Sequence, residues 1–231
     1  MRKRESELKF TCEAFAADFI KRGVDSVCLA DDDFSENIIS SVYFDTDEWS
    51  FAMEKAASDF LKSKVRLRWY QESGNALTEK SSKCYLEFKW KEGSKRMKER
   101  ILMPFNGAEA LNAIQQDEIK SLIAEHVSIR LPEYSAYSIK PKFVVSYSRS
   151  RYIEPFSQTR ISFDRNIHAY NVGRNYAQFS SKVALDEAVL EVKGDCEDLP
   201  IALRRIHAGA LKKAAFSKYY ESFKLLSGYE Q

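Results

Sequence analysis

Glycine and proline are scarce: the 231 residues hold 8 Gly and 5 Pro. That scarcity excludes a linker-rich, collagenous or disordered chain, and no Pro/Gly/Ser-rich stretch marks a boundary. One domain over residues 1–231 is expected. The sequence contains neither GxxxxGK[ST] nor GxGxxG, so a glycine loop is not its phosphate cradle. Cys12, Cys28, Cys84 and Cys196 are scattered without CxxC spacing and read as reduced, packed thiols. His126, His168 and His207 stand apart, with no HxH, HExxH or GxSxG signature nearby. A divalent ion would therefore rest on carboxylates, which suits Mg²⁺ or Mn²⁺. No apolar run approaches the roughly 18 residues of a membrane helix. The basic start MRKRESELK leads into no apolar stretch and is not a secretory signal. A cytoplasmic location is expected.

What the sequence does contain is charge in alternation. Lys and Arg number 36 against 34 Asp and Glu, a net charge of +2, yet the bases gather in particular segments. KVRLRWY places Lys64, Arg66 and Arg68 opposite Val65, Leu67 and Trp69. YLEFKWK places Glu87, Lys89 and Lys91 opposite Leu86, Phe88 and Trp90. The pattern recurs in ESELKF from Glu5, VSYSRSRY from Val145, TRISFD from Thr159 and VLEVKG from Val189. A period of two puts successive side chains on opposite faces of a strand. Most half-buried strands alternate merely because one face meets water, but a solvated face usually mixes its signs. Here bases dominate, and the balancing acids lie elsewhere, as in ADDDFSE from Ala30. A shared sheet would gather these charges into a surface for a polyanion.

Further strands are expected over Ile38–Thr46 and Glu99–Phe105. Helices are expected over Glu13–Arg22, ended by Gly23, over Ala108–His126 and over Pro200–Leu226, with an apolar stripe that shifts near Phe216. Strands that do not alternate strictly with helices indicate an antiparallel α+β fold.

An ordered set of motifs carries a resemblance. ELKF at Glu7, VYFDT at Val42, KVRLRWY at Lys64 and LEFKWK at Leu86 with KER at Lys98 come first. YSRSRY at Tyr147, RISFD at Arg160, LEVKG at Leu190 and SKYY at Ser217 follow. Glu5, Glu7 and Lys9 also satisfy ExExK. The set resembles the VTC polyphosphate polymerase domain, a branch of the CYTH-like triphosphate tunnel metalloenzymes. That resemblance implies an α+β fold: an eight-stranded antiparallel β-barrel around a polar tunnel, helices outside, and a C-terminal helix near one mouth. It implies catalytic phosphate contacts from Arg66, Arg68, Lys89, Arg149, Arg160 and Lys218. Further phosphate contacts fall to Lys9, Lys64, Lys98 and Lys193, and Mn²⁺ or Mg²⁺ ligation to Glu191 and, more weakly, Glu7. Glu7 and Glu87 equally suit pairing with neighbouring bases. Arg151, where many relatives have a small residue, adds charge.

The function implied is metal-dependent phosphoryl transfer on ATP or inorganic polyphosphate, with polyphosphate synthesis first. The alternatives are a triphosphatase and a non-catalytic polyphosphate-binding module. Nucleic acid is not expected as a partner, because the bases lie on sheet-facing positions without a row of exposed stacking aromatics. Eukaryotic relatives attach a phosphate-sensing region and membrane helices; neither is expected here, and no membrane or regulatory partner is assigned.

Overall fold

A computed structural model describes residues 6–57, 60–72, 82–172, 182–206 and 209–229. Glu5 and His207 lie outside the described residues. The strands are β1 (Ser6–Glu13), β2 (Leu29–Ala30), β3 (Glu36–Asp45), β4 (Leu61–Glu72), β5 (Lys83–Glu92), β6 (Lys95–Asn106), β7 (Lys140–Ile153), β8 (Arg160–Asn171), β9 (Val183–Ala184), β10 (Glu187–Gly194) and β11 (Lys212–Lys213). The α-helices are α1 (Ala17–Val27), α2 (Ser50–Ala57), α3 (Ala110–Ala113), α4 (Asp117–Arg130), α5 (Ile201–Arg204) and α6 (Lys218–Ser227). Among the described residues no helix is long and apolar enough to cross a membrane.

The α+β class is as expected, and the alternating segments form strands. The closed eight-stranded barrel is corrected. Eleven strands form one hydrogen-bonded series, β11-β1-β10-β8-β7-β3-β4-β5-β6, with β2 on β7 and β9 on β8. Eight of them are long, while β2, β9 and β11 have two residues each. Among the described residues the series ends at β11 and β6 and does not return on itself. Its ends explain why. β6 exposes Lys95, Arg96, Lys98, Glu99 and Arg100, β11 is minimal, and charged or very short edges resist further pairing.

Two compact units divide the chain. The first comprises Met1–Ile38, Tyr147–His168 and Ala184–Ser217. Its antiparallel core is β1 on β10 on β8. Phe10, Ile20, Val24, Phe163, Leu190 and Leu203 bury its apolar side, α1 and α5 supplying three of them. α1 does not stop at Gly23 but runs on to Val27. A Cβ at Gly23 would lie 2.1 Å from Ile206 Cγ2, so this glycine serves close packing rather than a cap. The single helix expected from Pro200 is also corrected. α5 ends at Arg204, Gly209 adopts φ +86°, and Lys212–Lys213 pair with Thr11–Phe10 as β11. Local propensity yields there to strand pairing at an open edge.

The second unit comprises Ile39–Ser146, Ala169–Val183 and Lys218–Gln231. β4, β5 and β6 form its antiparallel hairpins. Val65, Leu67, Leu86 and Phe88 are fully buried on one face of these strands. The helix expected over Ala108–His126 is broken into α3 and α4. α4 restarts with Asp117 and Glu118 in its first turn, where acids favour a helix N-terminus.

Burial pushes the thiols of Cys12, Cys28 and Cys84 up to about 11, 12 and 12. These are packed thiols, as read from their spacing, not thiolate nucleophiles.

Candidate functional site

The charged residues collect on one strand face in each unit. In the second unit the register builds rows across β4, β5 and β6: Lys62–Lys91–Arg96, Lys64–Lys89–Lys98, Arg66–Glu87–Arg100 and Arg68–Tyr85–Leu102. Like charges directly opposite each other destabilise a sheet. This face nonetheless carries nine cations against one carboxylate, that of Glu87. Lys89 and Lys98 are exposed, Lys64 is half-buried, and Arg66 and Arg68 are each 7% exposed.

Glu87 makes that density tolerable. Arg66 Nε and Nη2 donate to Glu87 Oε2 at 2.8 and 2.6 Å. Arg100 Nε lies 3.7 Å from Oε1, and Arg68 approaches to 4.0 Å. Burial alone would push the Glu87 carboxyl up, but the Arg66 and Arg68 guanidiniums outweigh it and hold it at about 2. Glu87 is thus the fixed counter-ion, and Arg68 Nε is oriented separately by Ser41 Oγ at 2.9 Å.

Aromatic hydroxyls complete this face. Tyr43 accepts from Arg66 Nη1 at 3.3 Å, and Lys64 Nζ sits 4.8 Å from its ring centroid and 5.5 Å from that of Tyr219. Burial opposes ionisation of Tyr43, yet Lys64, Arg66 and Arg68 bring it down to about 6. Tyr219 donates to Asp45, which also accepts from the amides of Thr46, Phe51 and Ala52 and so caps α2. Burial holds the Asp45 carboxyl up despite these donors. α6 is thereby pinned through Tyr219 in its first turn, and Lys218, its first residue, is held 9% exposed. Lys218 is no solvated surface lysine. Lys212, expected on the same helix, lies in β11.

In the first unit the rows alternate in sign: Glu7–Lys193–Arg160, then Lys9–Glu191–Ser162. Lys9 Nζ lies 3.6 Å from Glu7 and 3.7 Å from Glu191. Lys193 Nζ lies 3.9 and 3.7 Å from the same two. Arg149 forks onto the fully buried Asp164 at 2.5 and 2.6 Å and reaches Glu191 at 3.2 Å. Lys9 also donates to the Phe216 carbonyl at 3.2 Å. Arg160 is exposed. Arg151 lies off this network, bonded to Asn37 and to the Phe34 carbonyl.

The structure therefore brings Glu7, Lys9, Arg149, Glu191 and Lys193 together in one unit, with Arg160 beside Lys193 across the sheet. It brings Lys64, Arg66, Arg68, Lys89 and Lys98 together in the other, and Lys218 precedes Tyr219, whose ring lies 5.5 Å from Lys64 Nζ. The residues missed from sequence are Asp164, Tyr43, Asp45 and Tyr219. Asp164 was within reach, since period two puts it on the charged side of Arg160. The α2–α6 tie joins residues 174 apart in sequence and leaves no local signal.

Among the described residues no three His, Cys, Asp or Glu side chains gather into a metal cage. Glu7 and Glu191 offer two carboxylates bridged by lysines. That donor set fits a hard cation such as Mg²⁺, which uses one or two carboxylates and takes its other oxygens from phosphate and water.

The fold is an α+β one that gathers Lys and Arg on a strand face in each unit. The chain belongs to the VTC domain family, whose profile matches residues 6–227. Nothing among curated proteins matches it. Among solved structures it is similar to HpAC1 from Hippeastrum, named for adenylyl cyclase and described as having a dominant triphosphatase activity. That likeness has 15% identity and a TM-score of 0.52, covering 98% of this chain and 97% of that one. It is similar too to the PH1819 protein of Pyrococcus horikoshii OT3, at 13% identity and a TM-score of 0.50, covering 97% and 100%. At these identities the likeness is one of fold.

Proposed function

We propose that this chain is a metal-dependent phosphotransferase that lengthens inorganic polyphosphate from ATP. The observation that carries the reading is the run of like-charged rows across β4, β5 and β6. From Arg68 to Lys62 the lane spans six residue steps, about 20 Å of strand. A triphosphate occupies only part of such a lane, whereas a polymer uses all of it. The rows of Lys64 and Lys62 carry no acid of their own, which concentrates positive charge along the lane and favours a polyanion.

In this reading Lys64, Arg66, Arg68, Lys89, Lys98 and Lys218 hold phosphate oxygens in the second unit, the arginines as forks and the lysines as point charges. Lys9, Arg149, Arg160 and Lys193 do so in the first. Glu191 and Glu7 would hold Mg²⁺ or Mn²⁺, which supplies neutralisation of phosphate oxygens when bound. Phosphoryl transfer then needs positioning and charge stabilisation more than a side-chain nucleophile. The same cradle serves hydrolysis when water is the acceptor, and the activity described for the Hippeastrum protein makes triphosphatase the second reading. The test is incubation with ATP and Mn²⁺ or Mg²⁺, gel analysis for long-chain polyphosphate and an assay for free phosphate. Long chains support the polymerase, phosphate alone supports the triphosphatase, and binding without turnover leaves a polyphosphate-binding module. Lys62→Ala with Lys91→Ala should shorten polymer products while leaving tripolyphosphate cleavage within about twofold.

A further inference from the structure

The charged face of β4, β5 and β6 changes character at one end. Its rows pass from Lys62–Lys91–Arg96 through Lys64–Lys89–Lys98 and Arg66–Glu87–Arg100 to Arg68–Tyr85–Leu102. In the last row a phenol and an aliphatic side chain stand where the first two rows have bases. Tyr70, two residues beyond Arg68, continues the same face on β4. Leu102 is 59% exposed, and Tyr70 and Tyr85 are half-buried.

A flat group is presented there. The Arg100 guanidinium carbon lies over the Tyr85 ring, 3.4 Å from its centroid, and 5.6 Å from that of Tyr70. Glu87 Oε1, 3.7 Å from Arg100 Nε, restrains the same guanidinium. The Arg100 side chain is nonetheless 40% exposed. A planar cation on an aromatic support, with Leu102 two residues along its strand, therefore meets solvent. Arginine that rests on a ring offers its flat face as well as its N–H groups, which lysine cannot do. Nucleobases stack on aromatic rings and on guanidinium planes.

We propose that this end of the face is a nucleoside subsite. The base of a nucleoside triphosphate lies against Arg100 and Leu102, and its phosphates run past Arg68 and Arg66 toward Lys64. The match is one of polarity, since the ligand is charged at one end and flat and uncharged at the other. This subsite rests on the phosphotransferase reading and gives the lane a direction, with the nucleoside at the Tyr85 end and the polymer toward Lys62.

The test compares ATP with methyl triphosphate, which keeps the three phosphates and lacks the nucleoside. Both are titrated calorimetrically into the intact chain in EDTA, so that no turnover intervenes. Wild-type protein should bind ATP about fivefold or more tightly than methyl triphosphate. Arg100→Lys keeps the charge and removes the plane, so it should abolish that preference and leave methyl triphosphate within about twofold. Leu102→Ser, at an exposed position, should halve the preference or more with the melting temperature kept, and carries the test if Arg100→Lys does not fold. The fluorescence of 2-aminopurine riboside triphosphate should be quenched by the wild type and recover with Arg100→Lys. Equal binding of ATP and methyl triphosphate, or a preference that survives both substitutions, overturns the subsite alone. Binding of neither ligand overturns the phosphotransferase reading and the subsite with it.

Discussion

The two charged faces use the same alternation and balance it differently. In the first unit the Glu7 and Glu191 rows each hold an acid and a base, so Glu7 and Glu191 are answered by Lys9, Lys193 and Arg149. In the second, Glu87 faces nine cations and three of the four rows have no acid. Cross-strand registration, rather than composition, sets acid beside base on one face and base beside base on the other.

The largest expected effect breaks the second face at its counter-ion. Glu87→Gln should cost about 3–5 kcal/mol by chemical denaturation, because it strands the buried Arg66. Glu7→Gln, at an acid 40% exposed, should cost no more than about 1 kcal/mol. Equal losses would erase the contrast between the faces. The pH dependence follows the same site: the Glu87 carboxyl is depressed when folded, so its stabilisation is present above its ordinary value of 4.5 and is lost as pH falls toward about 2.

Next is Glu191→Gln. Turnover should fall at least a hundredfold, about 2.7 kcal/mol of transition-state stabilisation. Metal-free tripolyphosphate binding, read by calorimetry, should persist or tighten as a negative charge leaves. Loss of binding with turnover would assign Glu191 to structure rather than to the metal.

A ligand that neutralises the second face should stabilise the whole protein. Tripolyphosphate at a hundredfold excess over Kd should add about 2.7 kcal/mol, seen as a rise in Tm far above that from sodium chloride at matched ionic strength. Lys89→Ala with Lys98→Ala should raise the unliganded Tm and shrink the shift. Equal shifts from both salts would leave only a solvated charged face.

Lys218→Ala should lower kcat/KM for the triphosphate at least tenfold, about 1.4 kcal/mol, while Lys224→Ala, whose charge pairs with Glu221, changes it little. Matching losses would indicate general attraction instead of a positioned lysine.

The smallest effect concerns Tyr43, which faces Lys64, Arg66 and Arg68 of β4 and Tyr219 of α6, with Glu87 beyond Arg66. As pH rises through about 6 its ionisation adds an internal anion, so tripolyphosphate affinity should weaken about threefold, under about 1 kcal/mol, relative to Tyr43→Phe. Without ligand the sign reverses. The depressed folded value makes the Tyr43 contribution complete above its ordinary value of 10 and absent below about 6. Tyrosinate absorbance across this range checks the assignment, and an unchanged pH profile in Tyr43→Phe would refute it.

Alternation placed six of the eight long strands, all but β3 and β6, and separated Arg66 and Arg68 from Leu67 and Trp69, because a strand's period of two is local and tolerates few alternatives. The ordered motifs pointed to the family for the same reason. Tertiary structure decided the rest. Whether Lys64 stands opposite Lys89 or opposite an acid depends on register between segments 25 residues apart. Whether the segment after Pro200 stays helical depended on an open edge at Phe10 and Thr11, and Gly23 was decided by the side chain of Ile206. Lys218 was buried by Tyr219 finding Asp45, a long-range pairing whose energy appears only once α2 and α6 are packed.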